Sequence, residues 1–401
     1  MRVRNIDYPI YDADRHFYEP PEAFLTHLPK QYRREFQYVQ INGRTKLAVG
    51  GSISDYIPNP TFDVVAAPGA HEKWYRGDNP EGLSLREIGG EPIPSDPAFY
   101  DGAAHLKVMD GQKIQAGLFI PTLASVIEER LADKPEVIAA LMHSSNQWIA
   151  EGSGYARDNR LFPVPMINLF DVDRAVAELD FVLKSGARVV GIRPAPVAGA
   201  KNPMLGRSPG AEEFDPFWAR VNEAKIFVVL HVSDSGYDKI YRWWTAGGKG
   251  EFRPFEKDAF GEILDWMGRP IADTLAALVC HGVFDRFPDV RVASLENGSA
   301  WLDPLLSRFA MMYKKMPSSF KRDPLETFRK HVFISPFYED PVLHICEVMG
   351  DNRVLFGSDW PHPEGLSQPW DFFKDIEDLS DDQAKRVMST NLKGLLEGVR
   401  D

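Results

Sequence analysis

Apolar residues along this chain gather in short runs, each closed by polar or turn-forming residues, and such runs read as buried strands. They are IYDAD (10–14), AGLFIPT (116–122), LFPVPMIN (161–168), VVGIRP (189–194), IFVVLHV (226–232), ALVCHG (277–282), VRVASLEN (290–297), VFISP (332–336) and RVLFGSDW (353–360). Between many of them the apolar residues recur at three-to-four spacing, which predicts helices over 134–153, 171–186 and 214–225. Asp171 stands where an N-cap belongs and Gly186 where a helix ends. The stretch 380–398 reads as a last amphipathic helix capped by a serine. Strand and helix alternate from residue 116 onward, the signature of a parallel sheet with covering helices. That many strands fit a (β/α)8 TIM barrel of the α/β class better than an open doubly wound sheet. No glycine-rich phosphate loop follows the first strand, which also argues against the open sheet. The expected organisation is a single barrel domain over 1–401. Residues 50–101 are loop-rich with little periodicity and form an insertion within it, a lid or an oligomer arm.

Composition narrows the function classes. The chain has 401 residues, 44% hydrophobic and 26% charged, enough for a sizeable core. A net charge of −12 leaves no basic face for a phosphate backbone, so no nucleic-acid partner is expected. No run approaches the roughly 20 apolar residues of a membrane span, and the first residues carry no apolar leader. The two cysteines, Cys280 and Cys346, stand in no CxxC pattern, which suits a reducing, cytoplasmic setting. A homo-oligomer, most simply a dimer, is expected.

The candidate chemistry lies at the ends of the predicted strands. Asp14 and His16 close the first, His231 closes IFVVLHV, His281 closes ALVCHG and Asp359 closes RVLFGSD. In a parallel barrel these ends share one face, where sites are built. Asp14 and His16 are two apart, so in extended backbone their side chains point the same way. Two imidazoles and two carboxylates suit a divalent metal such as Zn, Mn or Fe rather than Cu(I). Glu296 either orients His281 or His231 or joins His281 around a second ion, and Glu19 reads as a surface or helix-start residue. Arg193 is a candidate clamp for a substrate carboxylate, and His362 a candidate substrate contact. Trp243, Trp244, Tyr237 and Tyr241 are candidate pocket aromatics. Cys280, beside His281 on a strand, would point away from it. Lys314 and Lys315 read as a solvated helix face.

The segments DADRHFYEP, LKVMDGQKIQAGLFIPT, VVGIRPAPV, the HV and CHG strand ends, SLENGSAW and LFGSDWPHPEG together resemble the amidohydrolase-related proteins. That group includes aminocarboxymuconate-semialdehyde decarboxylase and the resorcylate-type decarboxylases, and the resemblance covers nearly the whole chain. It implies a barrel enzyme acting on a small molecule. The family's opening HxH corresponds here to Asp14-x-His16, and a carboxylate first ligand favours Mn or Fe over Zn. His231 corresponds to a metal ligand, His281 to the general acid/base, and Asp359 to a ligand or a base for bound water. Where dinuclear relatives carry a carboxylated lysine this chain has Arg193, so a lysine-bridged pair of metals is not expected. The resemblance implies decarboxylation or hydrolysis by metal-activated water, with a carboxylated substrate favoured. Two alternatives are an O2-activating dinuclear non-haem iron oxygenase and a non-catalytic partner subunit of a hetero-oligomer.

Overall fold

The computed structural model of the chain describes residues 6–199, 205–245, 258–265, 268–338 and 340–400; the first five residues of the opening segment lie outside them. Its parallel strands fall into two groups. Ile10–Asp12 and Leu161–Pro163 flank Ile114–Pro121, and His16–Phe17 pairs further along that same central strand. Val189–Gly191, Phe227–His231, Arg291–Leu295 and Val332–Ile334 follow one another in the second group. Single parallel bridges join the groups, Met166 to Gly191 on one side and Ile334 to Val354 on the other. Residues 354–360 then return to the start through an Ala13 N–H bond to the Phe356 carbonyl (2.7 Å) and an Arg15–Trp360 bridge. The arrangement is barrel-like α/β, its joins single bridges rather than continuous ladders.

Both faces of these strands are buried, as their unbroken apolar runs require. Ala116, Leu118, Ile120, Val189, Phe227, Val229, Ala293 and Leu295 pack together in one cluster. Their alternates, such as Val190, Val228, Leu230 and Val292, pack against the helices. The predicted helices form as Pro135–Glu151, Val172–Lys184 and Asp215–Ala224. Asp171 accepts the Asp173 and Arg174 N–H groups as an N-cap, and Ser380 caps Asp381–Lys385. No described helix is long and apolar enough to cross a membrane.

Two expectations need correction. ALVCHG is the last part of a helix, Arg269–Cys280, not a strand. Its buried residues Ile271, Thr274, Leu275, Leu278 and Val279 recur at three-to-four spacing, which the six-residue window hid. RVLFGSDW forms no strand of its own and pairs only through isolated bridges. Within the loop-rich stretch 50–101, Val64–Val65 pairs with Ile93–Pro94, and short helices span Glu72–Tyr75 and Leu85–Ile88. Before it, Phe36–Ile41 and Arg44–Val49 make an antiparallel hairpin turning at Asn42-Gly43, both with left-handed backbone. An Asn-Gly pair between strands is a strong local turn signal that the hydrophobic pattern alone passes over.

Candidate metal centre

Asp14 and His16 leave the first strand where its pairing is interrupted, and both side chains turn to the same side, as their spacing predicts. His231 ends the strand Phe227–His231, and Glu296 directly follows Arg291–Leu295. Asp359 comes from the returning segment. Glu296 and Asp359 have left-handed backbone (φ +55° and +53°), a conformation non-glycine residues adopt at a cost and often at functional sites.

These five side chains converge. His16 Nε2 lies 3.1 Å from Asp14 Oδ1, 3.4 Å from Asp359 Oδ1 and 3.6 Å from Glu296 Oε2. His231 Nε2 lies 2.9 Å from Glu296 Oε2, 3.5 Å from Asp14 Oδ1 and 3.1 Å from His16 Nε2. Asp14, His16, His231 and Glu296 each offer one atom within 4.8 Å of all the others, and His16, Glu296, Asp359 and His362 do the same. Glu296 therefore shares the face on which the two imidazoles meet. His231 Nδ1 donates to the Val232 carbonyl (2.8 Å), which leaves Nε2 aimed at the cluster.

A metal fits this donor set. Asp14 Oδ1, Glu296 Oε2 and Asp359 Oδ2 are buried without a hydrogen-bond partner among the described residues. Buried carboxylate oxygens are rarely left so, and a coordinated cation is one of the few arrangements that satisfies them. The electrostatics agree. Burial pushes the His231 imidazole down, but Glu296 and Asp14 outweigh it and raise its pKa to about 10. His16 is likewise raised against burial by Asp14 and Glu296. Asp14 and Glu296, pushed up by burial, end below the usual carboxylate range because His231 and His16 face them. The carboxylates thus demand positive charge in their midst.

Asp359 differs from its neighbours. Burial, then Glu296, Glu364 and Asp14, push its carboxyl well above the ordinary value. Its Oδ1 is 2.7 Å from His362 Nδ1, and His362 Nε2 is 3.1 Å from Thr122 Oγ1. The His362 ring stacks on His16 with centroids 4.0 Å apart. Burial and His16 hold its pKa well below the ordinary value. Gly365 lies against this turn so closely that a Cβ there would come 2.5 Å from the Asp359 carbonyl oxygen. Thr122 and Gly365 escaped the sequence reading, since neither belongs to a metal-ligand residue type.

Other expected residues lie elsewhere. His281 caps the end of the helix Arg269–Cys280, is exposed, and pairs with Ser208 Oγ through Nδ1 (2.6 Å). It is not part of the cluster, because the strand expected to deliver it does not exist, and Cys280 sits on the same helix end. Arg193 is buried but spent: it meets Glu129 at 2.5 Å, Glu128 at 3.3 Å and the Pro196 carbonyl at 3.1 Å. It lines no described cavity wall. Glu19 is neither at the surface nor at a helix start. Fully buried, it accepts the N–H groups of Thr122, Leu123 and Ala124 at 2.8–3.0 Å. Trp243 and Trp244 are about three-quarters exposed (76% and 73%), and the Tyr237 and Tyr241 hydroxyls are held by Asp273 and Asp258. Lys314 and Lys315 are exposed at the end of Leu302–Lys315, as expected.

His16, His231, Glu296 and His362 form part of the wall of a cavity of about 600 Å³. Its other walls are mainly apolar and aromatic, and many come from residues 56–86. A cavity of this size, with a few converging polar groups, is the ordinary form of a small-molecule site.

Comparison with known proteins gives consistent matches. A family model described as amidohydrolase matches residues 70–391. The chain resembles a solved amidohydrolase from Mycobacterium avium subsp. paratuberculosis, with 36% identity, 98% of each chain covered and a TM-score of 0.90. Among curated proteins it is 23% identical over 320 residues to gamma-resorcylate decarboxylase of Rhodococcus jostii, covering 71% of this chain and 84% of that one. Its fold also resembles a 5-carboxyvanillate decarboxylase from Novosphingobium aromaticivorans, solved with manganese and a nitrobenzoic acid. There the identity is 16%, the TM-score 0.61 and the coverage 98% of this chain and 96% of that one.

Proposed function

The chain belongs to the amidohydrolase family, and from that premise we propose that this enzyme is a metal-dependent decarboxylase of a small carboxylated substrate. The observation that carries the reading is the set of partnerless buried carboxylate oxygens facing two imidazole nitrogens on the wall of a ligand-sized cavity. Asp14, His16, His231 and Glu296 would hold one divalent ion, with Asp359 beside it. The two candidate ligand groups share His16 and Glu296, which supports a single ion. Two carboxylates in the set, and the manganese of the Novosphingobium relative, favour Mn. Bound there, the metal supplies a Lewis acid that polarises the substrate's oxygens.

The protein's own part is proton placement. Asp359, whose Oδ2 is buried with no hydrogen-bond partner among the described residues, would carry a proton there while Oδ1 accepts from His362. As the bond between carbon and carboxyl group breaks and CO2 leaves, the electron pair stays on carbon and takes that proton. Asp359 is left as carboxylate and regains its proton from solvent. His362 orients the donor, and Thr122 fixes the far nitrogen of that ring. The decarboxylases among the relatives support this chemistry over the oxygenase and partner-subunit alternatives. Metal analysis and CO2 release from dihydroxybenzoates test it. About one metal per chain is expected, and Asp359→Asn should retain the metal while losing roughly 100-fold or more in rate. A variant releasing CO2 at the parent rate would remove Asp359 from the mechanism.

A further inference from the structure

The cavity has room beyond a single aromatic ring. A cavity of roughly 150 Å³ lined by apolar side chains holds benzene, and this one measures about 600 Å³. Much of its apolar wall comes from one stretch of chain: Tyr56, Ile57, Phe62, Val65, Tyr75 and Leu85 all lie in the segment that follows the N-terminal hairpin. It is continuous with the metal centre. His16 stacks on His362 at 4.0 Å, His362 on Tyr18 at 5.7 Å, and Tyr18 on Phe62 at 4.3 Å. Among the described lining residues no lysine occurs, and the one arginine, Arg86, is exposed. A second anionic group in the substrate would find no buried cation in this part of the cavity.

We propose that the segment 56–85 forms an apolar subsite for a substrate whose hydrophobic body extends well beyond a single ring, by a fused ring or an alkyl chain of several carbons. The proposal rests on the decarboxylase reading only for the head group that meets the metal. Its physical content is a preference set by buried area: each methylene removed from water is worth roughly fourfold in affinity.

The test measures binding to the metal-loaded protein by calorimetry with two pairs of probes. One pair is 2,6-dihydroxybenzoate and its 4-hexyl derivative; the other is resorcinol and 4-hexylresorcinol, which carry no carboxylate. In each pair the hexyl compound is expected to bind about 100-fold tighter or better. Leu85→Asp, on a short half-exposed helix, and Phe62→Ala should each cut that advantage at least tenfold and change the affinity of the short compounds less than twofold. Melting profiles matching the parent's establish that both variants are folded. A hexyl advantage below tenfold in both pairs, or one that survives both substitutions, overturns the subsite. CO2 release is read separately on the carboxylated pair: its absence alongside an intact hexyl advantage would sink the decarboxylase reading and leave the subsite standing.

Discussion

Asp12 and Asp14 lie two residues apart and both are buried, yet their surroundings are opposite. Asp12 is fully partnered. Its Oδ1 accepts from the Ser358 N–H at 2.9 Å, and its Oδ2 from Ser358 Oγ at 2.6 Å and Arg15 at 3.0 Å. Arg15 in turn donates to His105 Nε2 and Gln112 Oε1 and lies over the Trp360 ring. Asp14 faces two imidazoles and two other carboxylates, and its Oδ1 has no hydrogen-bond partner among the described residues. Burial is alike in the two regions; charge balance and satisfaction are not. The lesson is that a buried carboxylate marks a site only where its lone pairs are left over.

The largest expected effects would break that comparison directly. Asp12→Asn should cost about 3–5 kcal/mol of stability, because it strands the buried Arg15 charge, while metal binding by folded protein persists. Asp14→Asn should do the reverse. Its metal affinity should fall by more than about 100-fold, beyond the usual effect of an outer partner, with a smaller loss of metal-free stability. Thermal melts with and without added Mn separate the two, and equal metal loss in both variants would refute the distinction. Arg193→Gln extends the test to a second region whose buried charges are paired. It removes the cation facing Glu128, leaves Glu129 with Lys239 alone, and should cost about 2–4 kcal/mol, with metal content by elemental analysis unchanged.

A smaller effect concerns pH in the Asp12 region. Burial and then Arg15 hold the His105 imidazole well below its ordinary pKa, so the folded protein keeps it neutral. The unfolded chain takes up that proton near pH 6.5 and therefore binds more protons below it. Stability from His105 is thus complete above pH 6.5 and lost as pH falls toward the depressed folded value. His105→Gln should flatten the acid limb of a denaturation series by up to about 1.4 kcal/mol per pH unit; an unchanged slope would contradict the assignment. The smallest effect is expected at His281. His281→Ala, on an exposed helix end, should alter stability by less than about 0.5 kcal/mol and leave CO2 release at the parent rate.

Sequence reading found most of the barrel-like order because buried parallel strands announce themselves as unbroken apolar runs. It singled out Asp14, His16, His231 and Asp359 at the ends of apolar runs, and the structure brings these four side chains together. It misplaced His281 because a short apolar run ending in a polar residue looks the same at the end of a helix as at the end of a strand. Arg193 sits at a strand end as predicted, but the two glutamates that neutralise it lie some 65 residues earlier in the chain, a pairing that no local pattern reveals. Glu296 was legible as a carboxylate near the site. Its place in the cluster of candidate ligands depends on a left-handed turn that composition does not encode.

Glu19 carries a consequence in time rather than energy. It holds three consecutive amides of the turn that bears Thr122, and Thr122 holds His362. Loop amides ordinarily trade their hydrogens with heavy water within a short interval, but these three can do so only when the Glu19 carboxyl lets go. The turn behind His362 should therefore exchange as slowly as the strand Ile114–Pro121 it follows. Glu19→Gln should quicken that clock at Thr122, Leu123 and Ala124 before any other part of the scaffold registers the change.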